Sequence, residues 1–174
     1  MKPEKKIERK IMFERGLNCV WIDLDNVLAD FNKSARLLFG MEPEEYEEKY
    51  GTKEFWKKLN QDKEFYLNLD MMPDADELYN AVQHFHPIIL TGIPANMDRC
   101  SNQKTRWVRY KFGQNQRVIC CFAREKSTFC IPGDILIDDR PKFKESWEEA
   151  GGTFITHISA AKSISDLKYL GVIW

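Results

Sequence analysis

The sequence predicts an α/β protein, a Rossmann-like parallel sheet covered by helices, with a small helical cap inserted after the first strand. Five short apolar runs are separated by stretches of helical periodicity, and crossovers of that length make neighbouring strands parallel. Three of the runs end abruptly in polar residues: Asp23 and Asp25, Thr91 and Gly92, Asp138 and Asp139. Parallel strands deliver all three sets to one edge of the sheet, where α/β proteins do their ligand chemistry. Residues 32–72 depart from this rhythm, with dense mixed charge and embedded aromatics, and are expected to form the cap, leaving 1–31 and 73–174 as the core.

The first strand is Cys19 to Ile22. Leu28, Phe31, Ala35, Leu38 and Phe39 then recur at helical spacing, and Gly40 supplies a C-terminal stop. In the cap, Glu42, Glu44, Glu45, Glu47 and Glu48 are expected outside, with Tyr46, Tyr50, Phe55, Trp56 and Leu59 packed inward. Phe65 and Tyr66 are candidates to line a substrate pocket. Asp74 reads as the N-cap of the next helix, with Glu77 three residues on as its reciprocal partner. Pro87 to Gly92 is the second strand, and a helix over about 97–112 stops at Gly113. Val118 to Phe122 and Asp134 to Asp139 are the third and fourth strands. Pro141 opens another helix that Gly151 and Gly152 close. Thr153 to Ile158 is the fifth strand, and Ile164, Leu167 and Leu170 mark a final helix.

Composition excludes several classes. With 174 residues, 43% hydrophobic, 13% aromatic and a net charge of −1, the chain reads as an ordinary globular domain. Its charge balance offers no general attraction for nucleic acid. The five cysteines, Cys19, Cys100, Cys120, Cys121 and Cys130, lack Cys-x-x-Cys spacing and read as reduced thiols, and His84, His86 and His157 read as structural. No run approaches the ~18 apolar residues of a membrane span, so no membrane partner is expected. The basic start, Met1 to Lys6, is expected to be a solvated leader, and a cytoplasmic location follows by default.

Asp23 and Asp25 stand at the end of a buried strand, a costly place for charge unless a metal, a cation or hydrogen-bond donors compensate it. An EF-hand loop is a poor alternative, because residues 27 to 31 lack its Gly and late Glu. Each pair could also be structural, Asp23 and Asp25 as helix caps and Asp138-Asp139 as a turn before Pro141. Three convergent strand ends argue for a site instead.

The pattern Asp-Leu-Asp-Asn-Val-Leu after an apolar strand resembles the first motif of the haloacid dehalogenase-like (HAD) phosphotransferases. The resemblance implies that Asp23 is a nucleophile that becomes a phosphoaspartate, and Asp25 the general acid and base. Cancelling the charge of a phosphate monoester needs a metal, a cation and amide donors. Asp23, Asp138 and the backbone carbonyl of Asp25 offer hard oxygens suited to Mg2+, with Asp139 as support. Thr91 Oγ and the Gly92 amide are placed to bind phosphoryl oxygens. Two lysines compete for the cation. Lys104 sits among Asn102, Gln103, Arg106 and Arg109, where an exposed charged face is the ordinary expectation, so Lys104→Met should be nearly silent. Lys126 follows the third strand at the active edge and is favoured, with an extra loop turn at Ile131 to Gly133 to be absorbed before Asp138.

From about Asn18 to Val172 the chain resembles, more narrowly, the 5'(3')-deoxyribonucleotidases of that superfamily. Asp-Leu-Asp-Asn-Val-Leu-Ala-Asp-Phe, Glu-Phe-Tyr, Leu-Thr-Gly, Trp-Val-Arg-Tyr-Lys-Phe-Gly, Arg-Glu-Lys-Ser and Asp-Ile-Leu-Ile-Asp-Asp-Arg-Pro follow in the family's order. The resemblance implies a phosphatase, a magnesium-dependent nucleotidase acting on nucleoside monophosphates. It assigns catalytic roles to Asp23, Asp25, Thr91 and Lys126, and packs Phe31, Phe65 and Tyr66 around base and sugar. A small-molecule nucleotide is the expected partner, and a homodimer is compatible with the sequence. Two departures stand out: Asn26 replaces a commoner Gly, and Ala95 lies where relatives carry a basic residue. The rival functions are a HAD phosphatase for another phosphomonoester or a nucleic-acid 3'-phosphate end, and a non-catalytic binding module, against which the intact Asp23 and Asp25 argue.

Overall fold

The computed structural model describes residues 19–95 and 98–174, so the expected leader lies outside the described residues. The five strands form as expected, trimmed at their ends: β1 (Val20–Ile22), β2 (Ile88–Gly92), β3 (Val118–Cys121), β4 (Ile135–Asp138) and β5 (Thr153–Thr156). They make one parallel sheet in the order β3-β2-β1-β4-β5, with Ile22 beside both Ile89 and Ile137. This is the doubly wound arrangement, in which the chain builds outward from β1 to one side and then returns to build on the other. The switch point lies between β1 and β4. The crevice there is where Asp23 and Asp138 emerge.

Side-chain alternation gives the sheet two apolar faces. Val20, Ile22, Ile89, Ile137 and Ile155 pack beneath α4 (Ala75–Val82), α5 (Asp98–Phe112) and α7 (Ala160–Tyr169), where Leu78, Val82, Trp107, Val108 and Leu167 are buried. Trp21, Leu90, Leu136 and Phe154 form the opposite face around Trp147 of α6 (Lys144–Glu149), whose ring meets Trp21 edge-on at 6.2 Å. Between β1 and α4 the chain makes α1 (Phe31–Phe39), α2 (Pro43–Tyr50) and α3 (Thr52–Gln61), then a 3₁₀ turn at Phe65–Leu67. Phe39 stacks on Tyr46, with ring centroids 4.3 Å apart, and meets Phe55 at a tilt, 4.9 Å away.

Several expectations need correction. Tyr50 and Leu170 are exposed, because each falls at the last turn of its helix, beyond the packed stripe. Asp74 stands at the start of α4 but makes no capping bond there; its Oδ2 accepts from the Ala160 amide at 2.6 Å and so ties α4 to α7. The extra turn before β4 is absorbed by Asp134. Its buried carboxylate accepts from the Cys19 amide (2.9 Å), Trp21 Nε1 (3.0 Å) and the Ile131 amide (3.1 Å), tying the loop to the foot of β1. Asp134→Ala is expected to cost about 3 kcal/mol or more, since each buried donor left unpaired costs about 1–3 kcal/mol. Urea denaturation of the variant checks this.

Candidate active site

After Ile22 the chain leaves the sheet in a tight turn. The amides of Leu28 and Ala29 both donate to the Leu24 carbonyl, and Asn26 adopts a left-handed φ of 58°, which Asn tolerates better than most residues. Asn26 Oδ1 accepts from the Asn32 amide at 3.0 Å, fastening the turn to α1. The N-cap of α1 is Asp30, whose carboxylate accepts from the Lys33 amide at 3.0 Å. Asp23 and Asp25 are therefore not helix caps.

Both carboxylates have an ammonium partner, and the partners differ. Lys126, on a 3₁₀ turn (Ala123–Phe129) after β3, is buried with Nζ 2.8 Å from Asp23 Oδ1 and 2.6 Å from Asp138 Oδ2. Lys104 projects from α5 and donates to Asp25 Oδ2 (2.6 Å), Thr91 Oγ1 (3.0 Å) and the Gly92 carbonyl (2.7 Å). Its Nζ also lies 5.0 Å from the centre of the Tyr66 ring. The expected exposed position of Lys104 is thus wrong: it is 1% exposed. Cys100, Lys104, Trp107 and Val108 share one helical stripe, and a lysine at that spacing within an apolar face was the available signal. Thr91 and Gly92 end β2 beside β1, and an added Cβ at Gly92 would come within 3.1 Å of Ala123 Cβ, at the start of the turn that carries Lys126.

Asp23, Asp138 and Asp139 bring carboxylate oxygens within 4.8 Å of one another. The Arg140 amide donates to Asp138 Oδ1 at 2.8 Å, and Asn26 Nδ2 to Asp139 Oδ2 at 3.4 Å, while Asp139 Oδ1 is buried without a hydrogen-bond partner. Burial, reinforced by the neighbouring Asp23, pushes Asp138 up to about 6 and Asp139 up to about 7. One ammonium does not satisfy three crowded carboxylates. This donor set fits a hard divalent cation, with Asp139 joining Asp23 and Asp138 in the cluster, whereas the Asp25 carboxylate is turned to Lys104. Burial raises the Asp25 pKa, an effect that Lys104 opposes. Burial also raises the thiols of Cys100 to about 11 and Cys121 to about 12, which leaves no reactive thiolate at either.

The carboxylates open into a cleft of ≈ 580 Å³, within the ~300–1,000 Å³ range of small-molecule sites. It is lined by the strand-end groups Asp23, Asp25, Asn26, Gly92, Lys104, Lys126 and Asp139, by Phe31, Asn32 and Tyr66, by Glu47 and Trp56 of α2 and α3, and by Arg140, Lys142 and Phe143 after β4. Phe65 does not line it. That ring lies behind Phe31, 5.4 Å from its centre and 3% exposed, because consecutive residues of a 3₁₀ turn point about 120° apart. Trp56 and Phe55, expected inward with the cap core, border the cleft as well, and so do Glu44 and Glu47, expected on the outer face; Asn32 and Phe143 are further lining residues, and isolated residues in amphipathic stretches carry no signal of which crevice they border.

Residues 17–162 match the family model for 5' nucleotidase, deoxy (pyrimidine), cytosolic type C proteins. The chain belongs to that family. This nucleotidase is accordingly a phosphoric monoester hydrolase, and the catalytic edge described above falls inside the matched span. No curated protein sequence matches it significantly. Among solved structures, the nucleotidase is similar to a HAD family hydrolase from Deinococcus radiodurans R1 with bound phosphate and sodium, at 13% identity over 87% of this chain and 88% of that one, TM-score 0.49. It is also similar to a HAD hydrolase, family IA, variant 3, from Entamoeba histolytica HM-1:IMSS, at 15% identity over 87% and 88% of the two chains, TM-score 0.46. No helix among the described residues is long and apolar enough to cross a membrane.

Proposed function

We propose that the protein is a cytoplasmic, magnesium-dependent phosphatase that hydrolyses nucleoside monophosphates through a phosphoaspartate on Asp23. The observation that carries this reading is the pairing of two neighbouring carboxylates with two different buried lysines at one sheet edge: Asp23 with Lys126, Asp25 with Lys104. In this reading residues 32–72 act as a cap over that edge.

The chemistry divides between the two carboxylates. Asp23 attacks phosphorus while the bond to the nucleoside oxygen breaks, and Asp25 delivers a proton to the departing oxygen. Asp25 then takes a proton from water as that water attacks the phosphoaspartate, releasing inorganic phosphate and restoring Asp23. Thr91 Oγ and the Gly92 amide hold phosphoryl oxygens, and Lys126 offsets their charge. Lys104 fixes Asp25 and Thr91 relative to each other, so one ammonium faces the nucleophile and the other orients the acid. Asp23, Asp138 and Asp139, with the Asp25 carbonyl, would hold Mg2+, which adds positive charge opposite the phosphoryl oxygens.

The test is hydrolysis of a panel of nucleoside and sugar monophosphates with magnesium and with EDTA. The proposal expects phosphate release from nucleoside monophosphates, in magnesium only; a preference for sugar phosphates would favour the rival substrate class. Phe31 and Tyr66, with ring centroids 6.4 Å apart on the cleft wall, are the surfaces offered to the base. Stacking on a base is worth about 1–3 kcal/mol. Phe31→Ala is therefore expected to raise KM for nucleoside monophosphates more than for para-nitrophenyl phosphate, and equal effects would assign the ring to the core alone.

A further inference from the structure

Helix α5 carries two consecutive buried polar side chains, Gln103 and Lys104, and the chemistry above uses only the second. Gln103 is 7% exposed, and its carboxamide is directed to the segment that returns from the cap. Its Oε1 accepts from the Tyr66 amide at 3.2 Å, and its Nε2 donates to the Lys63 carbonyl at 2.6 Å. One turn to either side, residues of the same helix face hold the same segment. Arg99 Nη2 donates to the Asn60 carbonyl at 2.7 Å, and Trp107 Nε1 to the Leu69 carbonyl at 2.7 Å. Those two bonds already fasten both ends of the segment to α5. What Gln103 adds is the setting of the 3₁₀ turn between them, which carries Tyr66.

Tyr66 leads back to the catalytic groups. It is 2% exposed, and Lys104 Nζ stands over its ring, 5.0 Å from the centre. The three hydrogens of that ammonium go to Asp25 Oδ2, Thr91 Oγ1 and the Gly92 carbonyl. A water reaching the nitrogen would compete with those acceptors, and the face of Tyr66 occupies that approach. The phenol end of the ring also bonds the Cys100 thiol, one turn earlier on α5. Tyr66 is therefore seated on α5 by its hydroxyl, its ring face and its amide, and Gln103 is the residue that fixes the amide.

We propose that Gln103 is a positioning residue: by holding the Tyr66 amide it keeps the Tyr66 ring against the Lys104 ammonium, and so keeps Lys104 on Asp25 and Thr91. The inference rests on the nucleotidase reading above, in which Lys104 orients the acid, and deepens it. Gln103 itself does not line the cleft, so its effect on the reaction passes through Lys104.

The experiment measures kcat and KM for deoxyuridine 5'-monophosphate with magnesium, and melting temperatures, in wild type, Gln103→Met, Lys104→Met, the double variant and Arg99→Met. Gln103→Met nearly keeps the side-chain volume and loses both hydrogen bonds. It is expected to lower kcat about tenfold with KM within about twofold, since small misplacements of catalytic groups are costly. In the Lys104→Met background the same change should lower kcat by no more than about twofold, because residues that act through one another are not additive. Arg99→Met also loosens the cap segment from α5, and should lower the melting temperature while kcat stays near wild type. Where Gln103→Met does not fold, Gln103→Asn takes its place in the cycle, its amide being one methylene too short to reach Tyr66. A kcat equal to wild type, a change confined to KM, a loss that persists in full on top of Lys104→Met, or an equal loss in Arg99→Met would overturn this inference and leave the nucleotidase reading standing. Hydrolysis of para-nitrophenyl phosphate by wild type with no release from any nucleoside monophosphate would overturn both.

Discussion

Asp23→Asn is expected to lower turnover by at least ~10³, because an amide cannot serve as the attacking group and covalent catalysis ends with it. The change is nearly isosteric, so loss of fold does not explain the loss of rate. It also removes charge from a crowded site in which Asp138 and Asp139 are pushed up to about 6 and 7 by burial and by Asp23 itself. The variant should therefore melt no lower than wild type when magnesium is chelated. Near-normal magnesium-dependent hydrolysis by Asp23→Asn would remove the nucleophile from Asp23.

The two lysines give the second large effect, and the structure reverses what the sequence suggested for one of them. Lys126→Met removes the ammonium shared by Asp23 and Asp138 and is expected to abolish most turnover. Lys104→Met, expected from sequence to be silent, should instead lower kcat by about 10²–10³, the usual consequence of removing one preorganised donor. Its effect should fall on kcat more than on KM, because Lys104 holds Asp25 and Thr91, which act on the reacting groups. Steady-state kinetics on variants of unchanged melting temperature checks both. A silent Lys104→Met would reduce that lysine to a buried structural cation.

The parts of this molecule that could be read without coordinates are those written in local pattern. Five apolar runs define the strands, three of them closed by polar residues, and parallel crossovers then deliver Asp23, Thr91 and Asp138 to one edge. That logic needs no knowledge of packing. Lys104 was misread because charge on a helix ordinarily marks the solvent side, and Asn102, Gln103, Arg106 and Arg109 surround it in sequence. Only the three-dimensional stripe with Cys100, Trp107 and Val108 turns it inward. Asp74 failed as a capping residue for a related reason: a short acceptor beside a helix end takes whichever amide tertiary packing brings nearest, and here that is Ala160 at 2.6 Å. Phe65 and Tyr66 are adjacent in sequence, yet one lines the cleft and the other supports it, a distinction set by the direction of a single 3₁₀ turn.

Trapping the covalent intermediate tests the central claim most directly. The enzyme, turning over a nucleoside monophosphate radiolabelled in its phosphate, is quenched in acid, reduced with borohydride and mapped by peptide mass spectrometry. An acyl phosphate on Asp23 predicts acid-stable label on the protein before reduction, and homoserine at position 23 after it. Turnover of the nucleotide with no label on the protein, or with reduction mapped to Asp25 or Asp138 instead, would contradict the account.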